Sequence, residues 1–342
     1  MFSDRVTHTM KYSIIVPTFN RPDEVTELLD SLTQQTFRDF EVILADGSPG
    51  TLVREVADRY IPRLRLIYLY EKGLGISEAR NWGVQKASGE YVIFFDSDCM
   101  APPAYLETVD SYLTEHPAEV FGGPDATHAS FTPVQKAISY AMTSPFTTGG
   151  IRGRKKHVGK YQPRSFNMGI LREAFLKVGG FSGLKVSEDI DLSIRLDKAG
   201  NRTILIPAAF VYHKRRSTFY KFYRQTSSFG RGRIDLYIRH GKALKPVHTL
   251  PSLFVLFNVA GILTVLFSPA VFLLYLLCII LYSLLLFFHA SVVNRSLYIG
   301  LLGMVASFVM LVGYGTGMIA NFISRILLKS SKESEKPEIT KE

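Results

Sequence analysis

Apolar residues fall in blocks along the first third of the chain. Residues 12–17, 40–45, 64–70 and 91–95 are short apolar runs, each closed by a polar, Gly or Pro cluster. Such brief runs, apolar at odd and even positions alike, predict strands covered on both faces. Between them the spacing changes. Val25, Leu28, Leu29 and Leu32 follow Pro22 at helical intervals, with Asp23, Glu24 and Glu27 near the start. Pro at a first helical position and acids in the first turn both favour a helix there. Residues 52–60 and 76–87 predict two more helices, the latter after a Gly73-Leu-Gly75 loop. Strands alternating with helices predict an α/β domain with a mostly parallel, Rossmann-like sheet and right-handed crossovers.

Beyond residue 98 the pattern loosens. Pro102-Pro103 opens a predicted helix to about Glu115, and 120–123 is strand-like. Residues 142–165 are rich in Gly, Thr and basic side chains without periodicity, which predicts a long loop of the lid kind. A helix is expected over 171–178, stopped by Gly179-Gly180. Another runs from Ser187, as N-cap, to Lys198. Short strands follow at 201–206 and 210–212.

The last third is different in kind. From Leu250 to Phe322, Arg295 is the only Lys, Arg, Asp or Glu. That length predicts integral membrane segments, divided near Ser268-Pro269 and 289–296 into spans at 250–267, 270–289 and 297–322. Glycines in the third permit close helix packing. Residues 1–10 predict a flexible N-terminus, 11–245 a catalytic domain, 250–323 a membrane domain and 324–342 a disordered charged tail.

Charge sharpens this division. The formal net charge is +10, and ten Lys or Arg against one acid, Asp235, lie within 214–245. Positive charge beside a span marks the cytoplasmic side and attracts anionic headgroups, so membrane lipids rather than nucleic acid are the expected partner. Residues 1–10 lack the apolar core of a secretory signal, which predicts a cytoplasmic catalytic domain on the inner or plasma membrane. Cys99 and Cys278 stand in different regions and form neither a disulfide framework nor a zinc motif.

The chemistry concentrates in Tyr91-Val-Ile-Phe-Phe-Asp-Ser-Asp98, an apolar run ending in two aspartates one residue apart. Carboxylates at the C-terminal end of a strand lie where open α/β sheets bind ligands. Hard oxygen ligands there suit Mg²⁺ or Mn²⁺ carrying a diphosphate, although a strand followed by an Asp/Ser turn has the same sequence.

Taken with Ile14-Ile-Val-Pro-Thr-Phe-Asn-Arg21, Asp46-Gly-Ser48, Gly75-Ile-Ser-Glu-Ala-Arg-Asn81, Asn167, Gly179-Gly-Phe181 and Ser187-Glu-Asp189, the chain resembles the family 2 glycosyltransferases over roughly 11–235. The resemblance implies a GT-A fold and transfer of a sugar from a UDP- or GDP-sugar. It assigns nucleobase contacts to Pro17, Asn20, Arg21 and Asp46. The family often has two adjacent aspartates at the last of these, and here the first is Ala45. An Asx turn is the rival reading of Asp46. Arg80 and Asn81 fall near the nucleotide, with Arg80 contacting phosphate or pairing with Glu78. The metal goes to Asp98, Asp96 to ribose or metal-bound water, and His213 either completes the metal shell or is structural. Asp189 is the implied general base, with direct displacement and inversion, supported by Glu188 and Asp191. Asn167, Asp191, Arg215, Arg216 and Arg224 are candidate phosphate or acceptor contacts, the arginines also reading as a basic face against headgroups. The Gln-x-x-Arg-Trp motif of processive members is missing from 223–231, which implies one sugar per encounter. The implied acceptor is a lipid-linked saccharide or surface-glycan precursor. Two alternatives stand beside this: a nucleotidyltransferase on a similar sheet, and a non-enzymatic membrane assembly factor.

Overall fold

The computed structural model describes residues 10–148, 161–241 and 243–328. Its first elements are β1 (Tyr12–Thr18), α1 (Pro22–Thr33), β2 (Phe40–Asp46), α2 (Leu52–Tyr60), β3 (Leu66–Tyr70), α3 (Ile76–Lys86) and β4 (Tyr91–Phe94). Next come β5 (Cys99–Met100), α4 (Tyr105–Glu115), β6 (Val120–Gly122), β7 (Asp125–Ala126), α5 (Pro133–Thr143) and α6 (Pro145–Thr148). Then follow β8 (Met168–Leu171), α7 (Arg172–Lys177), α8 (Glu188–Lys198), β9 (Thr203–Leu205) and β10 (Val211–His213). The chain continues as α9 (Phe219–His240), α10 (Leu250–Leu263), α11 (Pro269–Asn294) and α12 (Leu297–Phe322).

The described residues form two units. One comprises 10–131 and 161–214; the other comprises 132–148, 215–241 and 243–328. The division between the units falls after Lys214, and residues 215–241 group with the apolar helices.

The first unit is built on a seven-stranded sheet of order β3-β2-β1-β4-β8-β6-β9. β1 pairs in parallel with β2 and β4, and β2 with β3, while β8 runs antiparallel to β4 and β6. The predicted two-sided burial holds residue by residue. Ile14, Val16, Val42, Leu44, Ile93 and Phe95 face one core, shared with Leu28, Val56 and Leu106 of the helices. Their neighbours Ile15, Ile43, Val92 and Phe94 face the opposite core, shared with Val84, Phe175, Leu192 and Leu196. Alternation on a strand sends successive side chains to opposite faces, so a continuous apolar run fills both layers. The order reverses between β1 and β4, because β2 and β3 lie to one side of β1 and β4 to the other. That switch point is where the strand ends splay and leave a crevice. A small second sheet has the order β5-β10-β7.

Several boundaries move from the sequence reading. α4 starts at Tyr105, after the two prolines. Residues 168–171, given partly to a helix, form β8, a strand too short for a periodic signal. Ser187 is not a side-chain cap: it sits in the left-handed region at φ 65° and makes no capping hydrogen bond.

In the second unit, α5 is opened by a Thr132/Gln135 capping box with Pro133 in its first turn. With α6 it makes residues 142–143 and 145–148 helical where a loop is expected; 149–160 lie outside the described residues. Ala137, Ile138, Ala141 and Met142 pack with Phe222 of α9 and with Ala306 and Met310 of α12. α11 and α12, the latter continued by a turn of π-helix over Ile323–Leu327, are long and apolar enough to cross a membrane; Leu250–Leu266 is shorter. Residues 324–327 are thus helical, and the rest of the expected tail, from 329, is outside the described residues, as are residues 1–9.

Candidate active site

Asp96 and Asp98 leave β4 at the switch point. Asp98 is 11% exposed, and its two oxygens have different neighbours: Oδ2 accepts from Arg21 Nη1 at 3.0 Å, and Oδ1 lies 3.2 Å from His213 Nε2. Strand pairing brings His213 here. β10 runs antiparallel to β5 with His213 opposite Cys99, and the Lys214 amide donates to the Asp98 carbonyl at 3.0 Å. Phe166 packs on the imidazole with ring centroids 4.6 Å apart.

Asp98, Cys99 and His213 could each offer a ligand atom, all within 4.8 Å of one another. The donor set fits a divalent cation through the carboxylate and imidazole. His213 Nδ1 is buried without a hydrogen-bond partner among the described residues. The nitrogen and oxygen donors suit Mn²⁺, whereas Mg²⁺ prefers oxygen alone. Cys99 fits poorly. Burial, then Asp98 and Asp96, push its thiol well above the usual range, so it stays protonated, with Sγ 3.6 Å from the Phe166 carbonyl.

Arg80 is the largest fully buried side chain, 1% exposed. It does not pair with Glu78. Its Nη2 donates to Asp96 Oδ1 at 2.8 Å and to Ser165 Oγ at 2.9 Å, and its Nη1 donates to Glu188 Oε1 at 2.9 Å. Burial opposes its charge, but Asp96 and Glu188 outweigh that and hold it protonated. Glu188 opens α8. Its carboxyl is raised above the ordinary 4.5 by burial and by Asp189, with Arg80 pulling the other way. Asp189, next in line, accepts from the Ile190 amide at 2.8 Å through Oδ1, while Oδ2 is 3.7 Å from Arg164 Nη1. One buried network thus joins the end of β4 to the start of α8.

Residues 13–179 match the family model described as Glycosyl transferase family 2. That segment belongs to glycosyltransferase family 2. The succinoglycan biosynthesis protein ExoA of Rhizobium meliloti (strain 1021) is 28% identical over 247 residues, which cover 70% of this chain and 74% of ExoA. An uncharacterized glycosyltransferase of Haemophilus influenzae is 32% identical over 186 residues, 54% of this chain and 61% of its own, so that alignment spans less than two thirds of the relative. Among solved structures, the mannosyltransferase PcManGT from Pyrobaculum calidifontis in complex with GDP-Man and Mn²⁺ superposes with TM-score 0.63 at 18% identity. It covers 92% of this chain and 88% of the other. At that identity the likeness is one of fold, a GT-A fold with a mostly parallel sheet.

The remaining expected residues divide into those at the sheet edge and those used internally. Pro17 is buried in β1 opposite Ala45 of β2. Asn20 takes φ 54°, and its amide donates to Ser48 Oγ at 2.7 Å. Asp46 is fully buried and forms an Asx turn: Oδ1 accepts from the Ser48 amide at 2.8 Å and from the Ser48 hydroxyl, and Oδ2 accepts from the Tyr68 hydroxyl at 2.6 Å. Three other expected residues make contacts within the fold. Asn81, expected near the nucleotide, clamps the Phe181 backbone, donating to its carbonyl and accepting from its amide, both at 2.9 Å. Asn167 is fully buried, accepting from Tyr105 Oη at 2.6 Å and donating to the Ala209 carbonyl at 2.8 Å. Asp191 is fully buried against Arg195 and Ser182. A buried side-chain amide or carboxylate must be satisfied inside the fold, and here the fold itself consumes those groups. Arg215, Arg216 and Arg224 lie in the other unit; Arg215 is buried and Arg224 is exposed on α9.

Ser48, Tyr68, Arg164 and Ser165 escape the sequence reading. Each is a single polar residue with a partner at least 22 positions away, although the Asp-Gly-Ser turn that holds Ser48 was a readable signal.

Proposed function

We propose that this chain transfers a sugar from a nucleotide-diphosphate-sugar to an acceptor hydroxyl by direct displacement, with inversion at the anomeric carbon. The observation that carries the reading is the convergence of Asp98 and His213, 3.2 Å apart, at the switch-point crevice. Asp98 and His213 would hold Mn²⁺ or Mg²⁺, with Asp96 beside them. The cation supplies charge neutralisation for the departing nucleoside diphosphate. Arg21, about one third exposed, is free to swing from Asp98 toward a diphosphate when a cation takes its place.

Asp189 is the general base. Its two oxygens are oriented by the Ile190 amide and by Arg164, and it takes the proton of the acceptor hydroxyl as that oxygen attacks. Pro17, Asn20 and Asp46 line the end of the crevice assigned to the nucleobase. Asp46 already holds Ser48 and Tyr68, so it meets a base only if Tyr68 turns away. A GDP-sugar, as in the PcManGT complex, and a UDP-sugar are the donors to try first.

The acceptor is a lipid-linked saccharide or surface-glycan precursor at the cytoplasmic membrane face. ExoA is a succinoglycan biosynthesis protein, α11 and α12 are long and apolar enough to cross a membrane, and Arg216 and Arg224 add basic groups suited to phosphate.

The test is nucleotide release from a panel of UDP- and GDP-sugars by detergent-purified protein with Mn²⁺. One donor should yield nucleoside diphosphate, and Asp98→Asn should cut this by at least about 100-fold while the unfolding temperature holds. A nucleoside monophosphate product would replace this reading with nucleotidyl transfer. Full activity in Asp98→Asn would remove the metal assignment.

A further inference from the structure

Arg80 carries more than a pairing role. Its guanidinium is not a surface fork open to a diphosphate. One Nη is used twice, on Asp96 and Ser165; the other holds Glu188. One face lies over the Phe181 ring, 5.0 Å from its centroid. Phe181 is itself held by the next residue, Asn81, through two hydrogen bonds of 2.9 Å. Gly180, at φ 66°, makes this approach possible: a Cβ there would stand 2.6 Å from Asn81 Oδ1. Arg80 and Asn81 thus fix the turn that leads toward α8 from two sides.

The start of α8 needs such fixing. Ser187 gives it no side-chain cap and sits in the left-handed region. A helix start without a cap frays. Glu188 is the first helical residue, and its carboxylate is tied to Arg80. Asp189, the base under the reading above, follows directly.

We propose that Arg80 is a positioning residue, a buried link through which Asp96, at the donor end of the crevice, fixes the orientation of Asp189 at the acceptor end. The role of Asp189 rests on the function proposed above; the link itself rests on the contacts. Arginine is required because only a planar guanidinium directs donors at two separate carboxylates at once. Lysine keeps the charge and reaches one of them.

The decisive variant is Arg80→Lys in the full-length, detergent-purified protein, read three ways. Hydrogen exchange at the amides of 187–192 should accelerate at least about tenfold, since the link to α8 is gone. Affinity for Mn²⁺ with UDP or GDP should stay within about threefold, and kcat should fall at least about thirtyfold at near-constant donor KM, as expected for a misplaced catalytic group. A donor KM or nucleotide Kd raised about tenfold with kcat intact would overturn the proposal and make Arg80 a donor ligand. So would unchanged exchange at 187–192. If Arg80→Lys fails to fold, the charge-balanced Arg80→Met/Glu188→Gln pair takes its place, with the same expectations; wild-type kcat in that pair would overturn the link. Should the wild type release no nucleotide from any donor, the proposed function fails, while the exchange measurement still decides the link.

Discussion

Glu188 and Asp189 are adjacent acids in one sequence motif, yet their surroundings separate their tasks. Glu188 is held by a buried arginine and has a raised pKa; Asp189 meets an amide and a partly exposed arginine. Asp189→Asn keeps the size and the contact with the Ile190 amide but replaces the oxygen that faces Arg164, and with it the basic group, by an NH2. It should leave donor binding near wild type and lower transfer by about 10²–10⁴-fold, checked by nucleotide titration beside initial rates. Glu188 makes a prediction in pH. A carboxyl raised above its unfolded value contributes stability below that value, and the contribution is lost as pH rises through the folded one. Relative to Glu188→Gln, the wild type should therefore lose thermal stability over the pH window that opens above the ordinary carboxyl value of 4.5. A difference that stays flat across that window, in parallel unfolding scans, would contradict the assignment.

At the scale of elements, glycines decide how the second unit packs. A Cβ on Gly230 of α9 would lie 2.0 Å from the Tyr314 carbonyl oxygen of α12. One on Gly317 would lie 2.1 Å from the Ser227 carbonyl oxygen. Both obstacles are backbone, which cannot rotate aside. Hydrogen bonds extend the same seam: Asn321 Nδ2 donates to the Arg231 carbonyl at 2.8 Å and to Asp235 Oδ1 at 3.0 Å. Such small-residue contacts let two helix backbones approach without a large side chain between them. Gly230→Ala and Gly317→Ala should each cost about 1–3 kcal/mol through overpacking, read as a lowered unfolding temperature in detergent. Gly241, at φ 64° with no heavy atom near its Cβ position, ends α9 and serves as the contrast: its cost is conformational rather than steric.

At the scale of the molecule, the apolar surface of the second unit sets where the protein can reside. Leu273, Leu277, Ile280, Leu281 and Phe288 of α11 are all more than half exposed. A contiguous apolar surface of that extent is unstable in water and is satisfied by lipid. The protein should therefore sediment with membranes after alkaline carbonate washing. Leu277→Arg/Ile280→Arg should shift it to the soluble or aggregated fraction, because each arginine at a helix centre costs about 2.5–3.5 kcal/mol on insertion. Unchanged membrane retention in that variant would mean that α11 is not in the bilayer.

The sequence by itself determined the elements whose signal is local and repetitive. β1, β2 and β4 were legible because their continuous apolar runs must be covered on both faces; α1 was legible from its first-turn proline and four apolar positions. The apolar tract likewise disclosed two helices long and apolar enough to cross a membrane, and the ordered motifs disclosed the family. What only the tertiary structure decided depends on groups distant in sequence competing for the same buried space. Arg80 could not be assigned to Asp96 and Glu188, one of them 108 positions away, until α3, β4 and α8 were brought together. The internal partners of Asn167 and Asp191 were hidden in the same way; the fold satisfies both inside, since a buried polar group without a partner costs more than any one contact returns. The unit boundary belonged to tertiary structure for the same reason. The basic segment looked like a continuation of the catalytic domain until α9 showed an apolar and glycine-bearing face matched to α12. Periodicity tells which face of a helix is apolar; only packing tells which neighbour covers it.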